Sequence, residues 1–271
     1  MSQAATKTPL IETMLNKVPQ VTIFFWIIKV FATTVGETVA DYLNTTLHFG
    51  LVTTSYVMGG LFLVALVVQL RLKRYVPAVY WTVVVLISVV GTLVSDLLVD
   101  KLGVGLRTST ILFAVILAVV FAAWWLSEHN LSVHAIKTRK REVFYWSAIL
   151  FTFALGTSAG DLISEATHFG YPLAALFFLG LIALTALAYD VFKIDGVLAF
   201  WIAYILTRPL GASTGDLLSQ SVKDGGLGFG TTGTSAIFLT VIVALIVFLT
   251  IEEGRNGRFS SARAIERQRS Q

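Results

Sequence analysis

The sequence predicts an all-α polytopic membrane protein. Its eight transmembrane helices form four parallel helical-hairpin repeats with pseudo-symmetry about the membrane normal. Three observations carry this reading. Of 271 residues, 56% are hydrophobic and 13% charged, and mean hydropathy is +0.79. A soluble domain carries roughly 25% charged residues, about twice this share. Eight apolar runs follow one another, each near the ~20 residues that cross a hydrocarbon core. One short motif then recurs four times. This composition excludes a soluble globular enzyme, a disordered chain and a coiled coil. The chain has no cysteine, which removes disulfides, thiolate metal sites and cysteine nucleophiles.

The apolar runs cover 19–43, 51–70, 76–98, 108–127, 143–164, 172–189, 196–219 and 232–251. Residues 1–18 form a polar N-terminal segment that does not read as a cleavable signal peptide. Two repeats fill 19–127, a basic linker covers 128–142, and two more repeats fill 143–251. Residues 252–271 form a basic tail suited to solvent near anionic lipid. Basic residues fix the orientation. Lys7, Lys17, Arg71, Lys73, Arg74, Lys137, Arg139, Lys140, Arg141, Lys193 and the five tail arginines fall on one side. Only Lys101, Arg107 and Lys223 fall on the other, so the positive-inside rule places both termini in the cytoplasm.

Each odd-numbered run carries an aromatic-Trp pair: Phe25-Trp26, Tyr80-Trp81, Tyr145-Trp146 and Phe200-Trp201. Ten residues after each Trp stands Gly36, Gly91, Gly156 or Gly211, and five further on stands Asp41, Asp96, Asp161 or Asp216. The loops repeat too: His48-Phe49-Gly50 returns as His168-Phe169-Gly170. Every copy enters the membrane in the same sense, so the repeats are parallel. On these four Trp-Gly-Asp copies the chain resembles the bacterial "uncharacterised membrane-anchored protein" family, built from four tandem two-helix repeats of unknown function. The resemblance covers about residues 17–251. It implies a protein of the bacterial inner membrane and supplies little chemistry.

Residues four apart share a helix face. Stepping back from each Asp gives stripes that stack in layers if the odd helices surround an axis. The outermost layer is Thr45, Asp100, Glu165 and Gln220. Next comes Asp41, Asp96, Asp161 and Asp216. Inside it lie Glu37, Thr92, Thr157 and Ala212, then Thr33, Ser88, Phe153 and Arg208. Lys29 lies one turn deeper still. Ionisable residues in a membrane face a bundle interior or a watery cavity. Four carboxylates at one depth repel one another and therefore share protons or bind a cation. Oxygen donors without thiolates suit Mg²⁺, Mn²⁺ or Ca²⁺, and His48 and His168 are candidate metal or pH-sensing groups. The same aspartates could anchor loop backbone instead, although the C-terminal turn of a helix disfavours a carboxylate.

Glu37 breaks the repeat pattern and reads as a deeper cation site or as an ion-pair partner of Lys29 or Arg208. Arg208 reads as a countercharge that competes with a cation, or as a fixed salt bridge. Trp26, Trp81, Trp124, Trp125, Trp146 and Trp201 read as an interfacial aromatic belt. The repeat glycines allow close helix approach. No nucleotide, zinc-protease or serine-hydrolase motif is present. The expectation is a cation transporter, not an enzyme, that moves a hard divalent metal such as manganese. No covalent cofactor is expected, the metal being substrate. Expected partners are the lipid bilayer and a metal cation or proton, with a homo-oligomer open and nucleic acid excluded. A non-transport sensor or assembly module and a passive cation channel are the alternatives.

Overall fold

The computed structural model of the protein describes residues 16–166 and 170–269, without the side chains of 165, 166 and 253–269. Eight helices long and apolar enough to cross a membrane follow in order, and no strand occurs among the described residues. They are α1 (Ile23–Asp41), α2 (Leu51–Arg71), α3 (Pro77–Asp96) and α4 (Leu106–Glu128). The second half repeats them as α5 (Arg139–Asp161), α6 (Gly170–Val191), α7 (Gly196–Ser219) and α8 (Gly230–Arg269). The last helix runs beyond its apolar part into the basic tail.

Local chemistry sets where the odd helices begin. The Thr22 hydroxyl accepts from the Phe25 amide, and the Thr138 hydroxyl from the Arg141 amide. The Asp195 carboxylate accepts from the Val197 and Leu198 amides at 3.0 and 2.9 Å. Pro77 opens α3, where a missing N–H costs nothing.

Two concentric layers result. Helices α1, α3, α5 and α7 form an inner ring, each packed on the next and α7 on α1. The outer helices are displaced by one repeat: α2 packs on α3, α4 on α5, α6 on α7, and α8 returns to α1. Burial separates the layers. The inner spans are 50–61% buried and the outer ones 17–22%, which leaves the outer helices to face lipid. Because each hairpin leans on its neighbour, no repeat completes its packing alone.

The repeat glycines close the ring. Gly36 of α1 lies against Ser88 of α3, Gly91 against Phe153 of α5, Gly156 against Arg208 and Pro209 of α7, and Gly211 against Thr33 of α1. At all four, a Cβ would overlap the facing side chain. Small residues let backbones approach so that dispersion, rather than the hydrophobic effect, holds helices together in lipid. Hydroxyl pairs add to this: Ser95 meets Ser158 across α3 and α5, and Thr38 meets Ser235 across α1 and α8, both at 2.7 Å.

The tryptophans are placed otherwise than an interfacial belt would have them. Trp81, Trp124, Trp146 and Trp201 are buried in the aromatic core at one end of the bundle, Trp26 is half-buried, and only Trp125 is exposed. Their volume fills the end of the ring opposite the aspartates, where the Trp201 indole N–H donates to the Leu131 carbonyl at 3.0 Å. Beneath them residues 16–18 form a strap. Lys17 Nζ lies 2.5 Å from Glu142 Oε2, and Gln69 Nε2 donates to Glu142 Oε1 at 3.1 Å. The Lys17 amide donates to the Ile136 carbonyl at 3.1 Å, and the Tyr75 amide to the Asn16 carbonyl at 3.2 Å.

The glycine contacts yield a direct test. Overpacking a close contact costs about 1–3 kcal/mol, so Gly91→Val and Gly211→Val lower the melting temperature in detergent. Gly59→Val and Gly180→Val, where a Cβ meets nothing, leave it unchanged.

Candidate functional site

The aspartate of the first three repeats is the last residue of its α-helix. A wider π-helical turn follows each: Tyr42–Thr46, Leu97–Lys101 and Leu162–Ala166. Backbone bonds there span five residues, as from the Leu47 amide to the Tyr42 carbonyl at 2.9 Å and from Leu102 to Leu97 at 3.1 Å. Such turns rotate side chains off α register and concentrate at functional positions. The fourth repeat differs. Helix α7 stays regular through Asp216 to Ser219 despite Pro209 inside it. Its following loop folds back, with the Leu227 amide on the Leu217 carbonyl.

The stripes do converge. Asp96 lies within electrostatic reach of Glu37, Asp161, Asp41 and Asp100, and Asp41 within reach of Glu37 and Asp100. Gln220 Nε2 donates to Asp41 Oδ2 at 3.5 Å, which joins the first and fourth repeats. Exposure falls steadily inward. Thr45 and Asp100 are exposed, Asp41, Asp96 and Asp161 half-buried, and Asp216 and Glu37 buried. The aspartate level is therefore a funnel with an acidic wall.

One guanidinium closes the funnel. Arg208 is 0% exposed, and its Nη2 donates to Glu37 Oε2 at 2.9 Å, Thr92 Oγ1 at 2.5 Å and Thr157 Oγ1 at 2.7 Å. A single nitrogen thus ties a residue of each repeat to the others. Thr92 also donates to Glu37 Oε2 at 3.4 Å. Alanine at 212 leaves this layer open for the arginine to rise into it from one turn below. Charge-assisted bonds of this kind are about twice as strong as neutral ones. Glu37 pairs with Arg208 and not with Lys29. Lys29 Nζ donates to the Tyr204 carbonyl at 2.8 Å and to the Thr207 hydroxyl.

From the level of Arg208 downward the axis is mainly apolar and aromatic, with Lys29 as its charged group. Val84, Ile149, Phe153 and Tyr204 are all 0% exposed. Beneath them Phe25, Tyr80 and Tyr145 close the ring, with the Tyr80 and Tyr145 hydroxyls 2.5 Å apart. The polar groups of these layers, Lys29, Thr207 and the tyrosine hydroxyls, are buried among them. Thr33 and Ser88 are buried beside Arg208, where Thr33 Oγ1 donates to the Val30 carbonyl at 2.5 Å.

His48 is exposed, with φ 54 at the turn that leads to Gly50. His168 and the side chain of Glu165 lie outside the described residues. Among the described residues, no three His, Asp or Glu groups gather closely enough to hold a metal ion. Sequence reasoning missed the Lys17–Glu142–Gln69 cluster and the Tyr80–Tyr145 bond. Two signals were present: Glu142 is an acid directly after a run of basic residues, and Gln69 is the one amide within α2.

Fold and site together define an integral membrane protein of tandem helical-hairpin repeats around a polar axis. The chain belongs to the family described as a repeat of unknown function (DUF347), which matches residues 24–75, 79–130, 144–194 and 199–255. No curated protein and no solved structure matches the chain.

The ion pair predicts a thermodynamic cycle. Breaking a buried pair costs about 3–5 kcal/mol because one charge is left uncompensated. Glu37→Gln and Arg208→Gln therefore each lower the melting temperature strongly. The double variant recovers most of the loss, a non-additivity read by thermal unfolding in detergent.

Proposed function

We propose that the protein is an integral membrane cation transporter of the bacterial inner membrane, with both termini in the cytoplasm. The observation that carries this is the group of carboxylates Asp41, Asp96 and Asp161 above the Glu37–Arg208 pair, with Asp216 buried on the fourth inner helix. Negatively charged, low-dielectric walls concentrate cations at the mouth. A cation drawn in there competes with Arg208 for Glu37. Arg208 then plays the part of a tethered cation that holds the site in the empty state.

A hard divalent metal such as Mn²⁺ is the most concrete cargo, because every donor on the stripe is oxygen. Capture requires the aspartates and Glu37 to draw closer than they stand, since they form no three-ligand cluster here. Side-chain closure around the ion is therefore part of the proposed cycle. Release to the other side requires the plug of Val84, Ile149, Phe153 and the tyrosines to part. A closed plug beneath an occupied funnel is what alternating access needs in its outward-facing half, and it disfavours a passive channel. The same plug is the observation that supports the second reading, a sensor that binds a cation at the funnel without moving it.

Flux into proteoliposomes, with Mn²⁺, Mg²⁺, Ca²⁺, Zn²⁺ and H⁺ tested in turn, separates the readings. The transporter gives saturable flux of one ion that Asp96→Asn and Asp161→Asn each reduce at least about tenfold, as loss of one charge-assisted ligand of about 1.5–3 kcal/mol requires. Correctly oriented, folded protein that binds a cation without flux leaves the sensor. Flux unchanged in both variants rules out the aspartate level as the site.

A further inference from the structure

At the aromatic end of the bundle, the strap, the turn after α2 and the start of α5 enclose a cavity of about 250 Å³. Five of its seven lining residues are cationic: Lys17, Arg71, Lys73, Lys137 and Arg139. The other two are Leu70 and Leu72, so no acid lines it. One of the cations belongs to the packed structure. Lys17 is 5% exposed, its amide donates to the Ile136 carbonyl, and its carbonyl accepts from Gln69 Nε2. Its Nζ donates to Glu142 Oε2 and to the Leu70 carbonyl at 3.3 Å. An ammonium has three N–H groups, so one has no acceptor among the described residues.

The described acids at this end are engaged elsewhere. Glu142 pairs with Lys17, Glu128 with Lys140 and Arg141, and Asp190 with Lys193. Asp195 caps α7, and Glu252 stands on α8, which packs mainly on α1. Arg71, Lys73 and Arg139 have no carboxylate partner among the described residues. Like charges around one space repel, and an anion between them removes that cost. Arg139 is the first residue of α5, which adds the positive end of a helix dipole beside the cavity.

Size and position narrow the ligand. Pockets for drug-sized molecules hold roughly 300–1,000 Å³, so this one suits a headgroup rather than a whole amphiphile. Arg71 ends α2, a span only 17% buried, so the cavity lies where a lipid-facing helix leaves the membrane. Basic pockets at such helix ends take anionic headgroups.

We propose that the cavity binds the phosphate of one anionic phospholipid, with Lys17, Arg71, Lys73 and Arg139 around the headgroup and the acyl chains along α2. The site is made once per chain. The matching turn of the second half carries Asp190, Lys193 and Asp195, a mixed set that does not attract a phosphate. Because the strap, α2 and α5 all contribute, the headgroup ties the first half of the bundle to the second. This goes beyond the cation-transport reading and does not depend on it.

The test is made on purified full-length protein, delipidated in detergent and titrated with phosphatidylglycerol or with phosphatidylcholine of the same chains. Native mass spectrometry counts retained lipid, and tryptophan fluorescence follows melting. The proposal expects one phosphatidylglycerol retained per chain and a saturable rise in melting temperature that phosphatidylcholine does not give. A cation beside an anionic headgroup is worth about 1 kcal/mol, or about fivefold in affinity. Arg71→Gln, Lys73→Gln and Arg139→Gln each weaken phosphatidylglycerol by that factor. All three side chains are exposed, so lipid-free melting is unchanged. The triple variant loses the preference for phosphatidylglycerol. Arg263→Gln with Arg267→Gln, in the basic tail, keeps it, as does Asp161→Asn, so failure of the cation reading and failure of this one are distinguishable. Equal retention of the two lipids overturns the proposal, as does a preference that survives in the triple variant or disappears with the tail arginines. An equal rise with inorganic phosphate overturns the assignment to lipid.

Discussion

The bond from Arg208 to Glu37 is the constraint on which the rest of the structure depends. Buried among packed helices, either charge left without the other costs about 3–5 kcal/mol. The pair must be buried together and supplied with further hydrogen bonds, and here Thr92 and Thr157 supply them. Four inner helices have to meet at one point for this to happen. Each of the contacts that lets them meet is made by a glycine against the stripe of the next helix. The glycine at 156 lies directly against the stem of Arg208, so the feature that closes the ring also seats the arginine.

The polarity gradient along the axis comes from departures from repeat symmetry. Four identical repeats would give four identical layers and an axis lined by equivalent groups. The chain keeps that equivalence at the aspartate level and abandons it just below, where Glu37 stands against two threonines and an alanine. One layer deeper, Arg208 stands against Thr33, Ser88 and Phe153. The helix that carries Arg208 is also the one that lacks a π-helical turn after its aspartate. An acidic level therefore leads to one oriented ion pair, and from there to a mostly apolar plug that holds Lys29.

Much of this was legible in the sequence. The eight spans, the four repeats and the glycine contacts follow from hydropathy and a fixed Trp-Gly-Asp spacing, because length in a bilayer and close approach of backbones are local properties. The layer order followed from a four-residue step, and the structure brings those layers to one axis. The partner of Glu37 was left open between Lys29 and Arg208, although the layers favour Arg208, which starts one turn below Glu37 while Lys29 starts two turns down the same helix. The tryptophans were misleading: an aromatic near a helix end suits an interface, and burial depends on which face meets the neighbouring helices. The π-helical turns leave no simple periodicity, and the strap at Lys17 depends on contacts more than a hundred residues apart.

An acidic mouth that ends at Arg208 predicts a sharp boundary of aqueous access along the α3 stripe. The chain has no cysteine, so single cysteines report without background. A cysteine is placed in turn at Asp100, Asp96, Thr92, Ser88 and Val84, all on the α3 stripe, and treated with a membrane-impermeant thiol reagent from the aspartate side. Reaction is fast at 100 and 96 and absent at 88 and 84, with the break at 92. Equal reaction at every position, or no reaction at 96, would contradict the account.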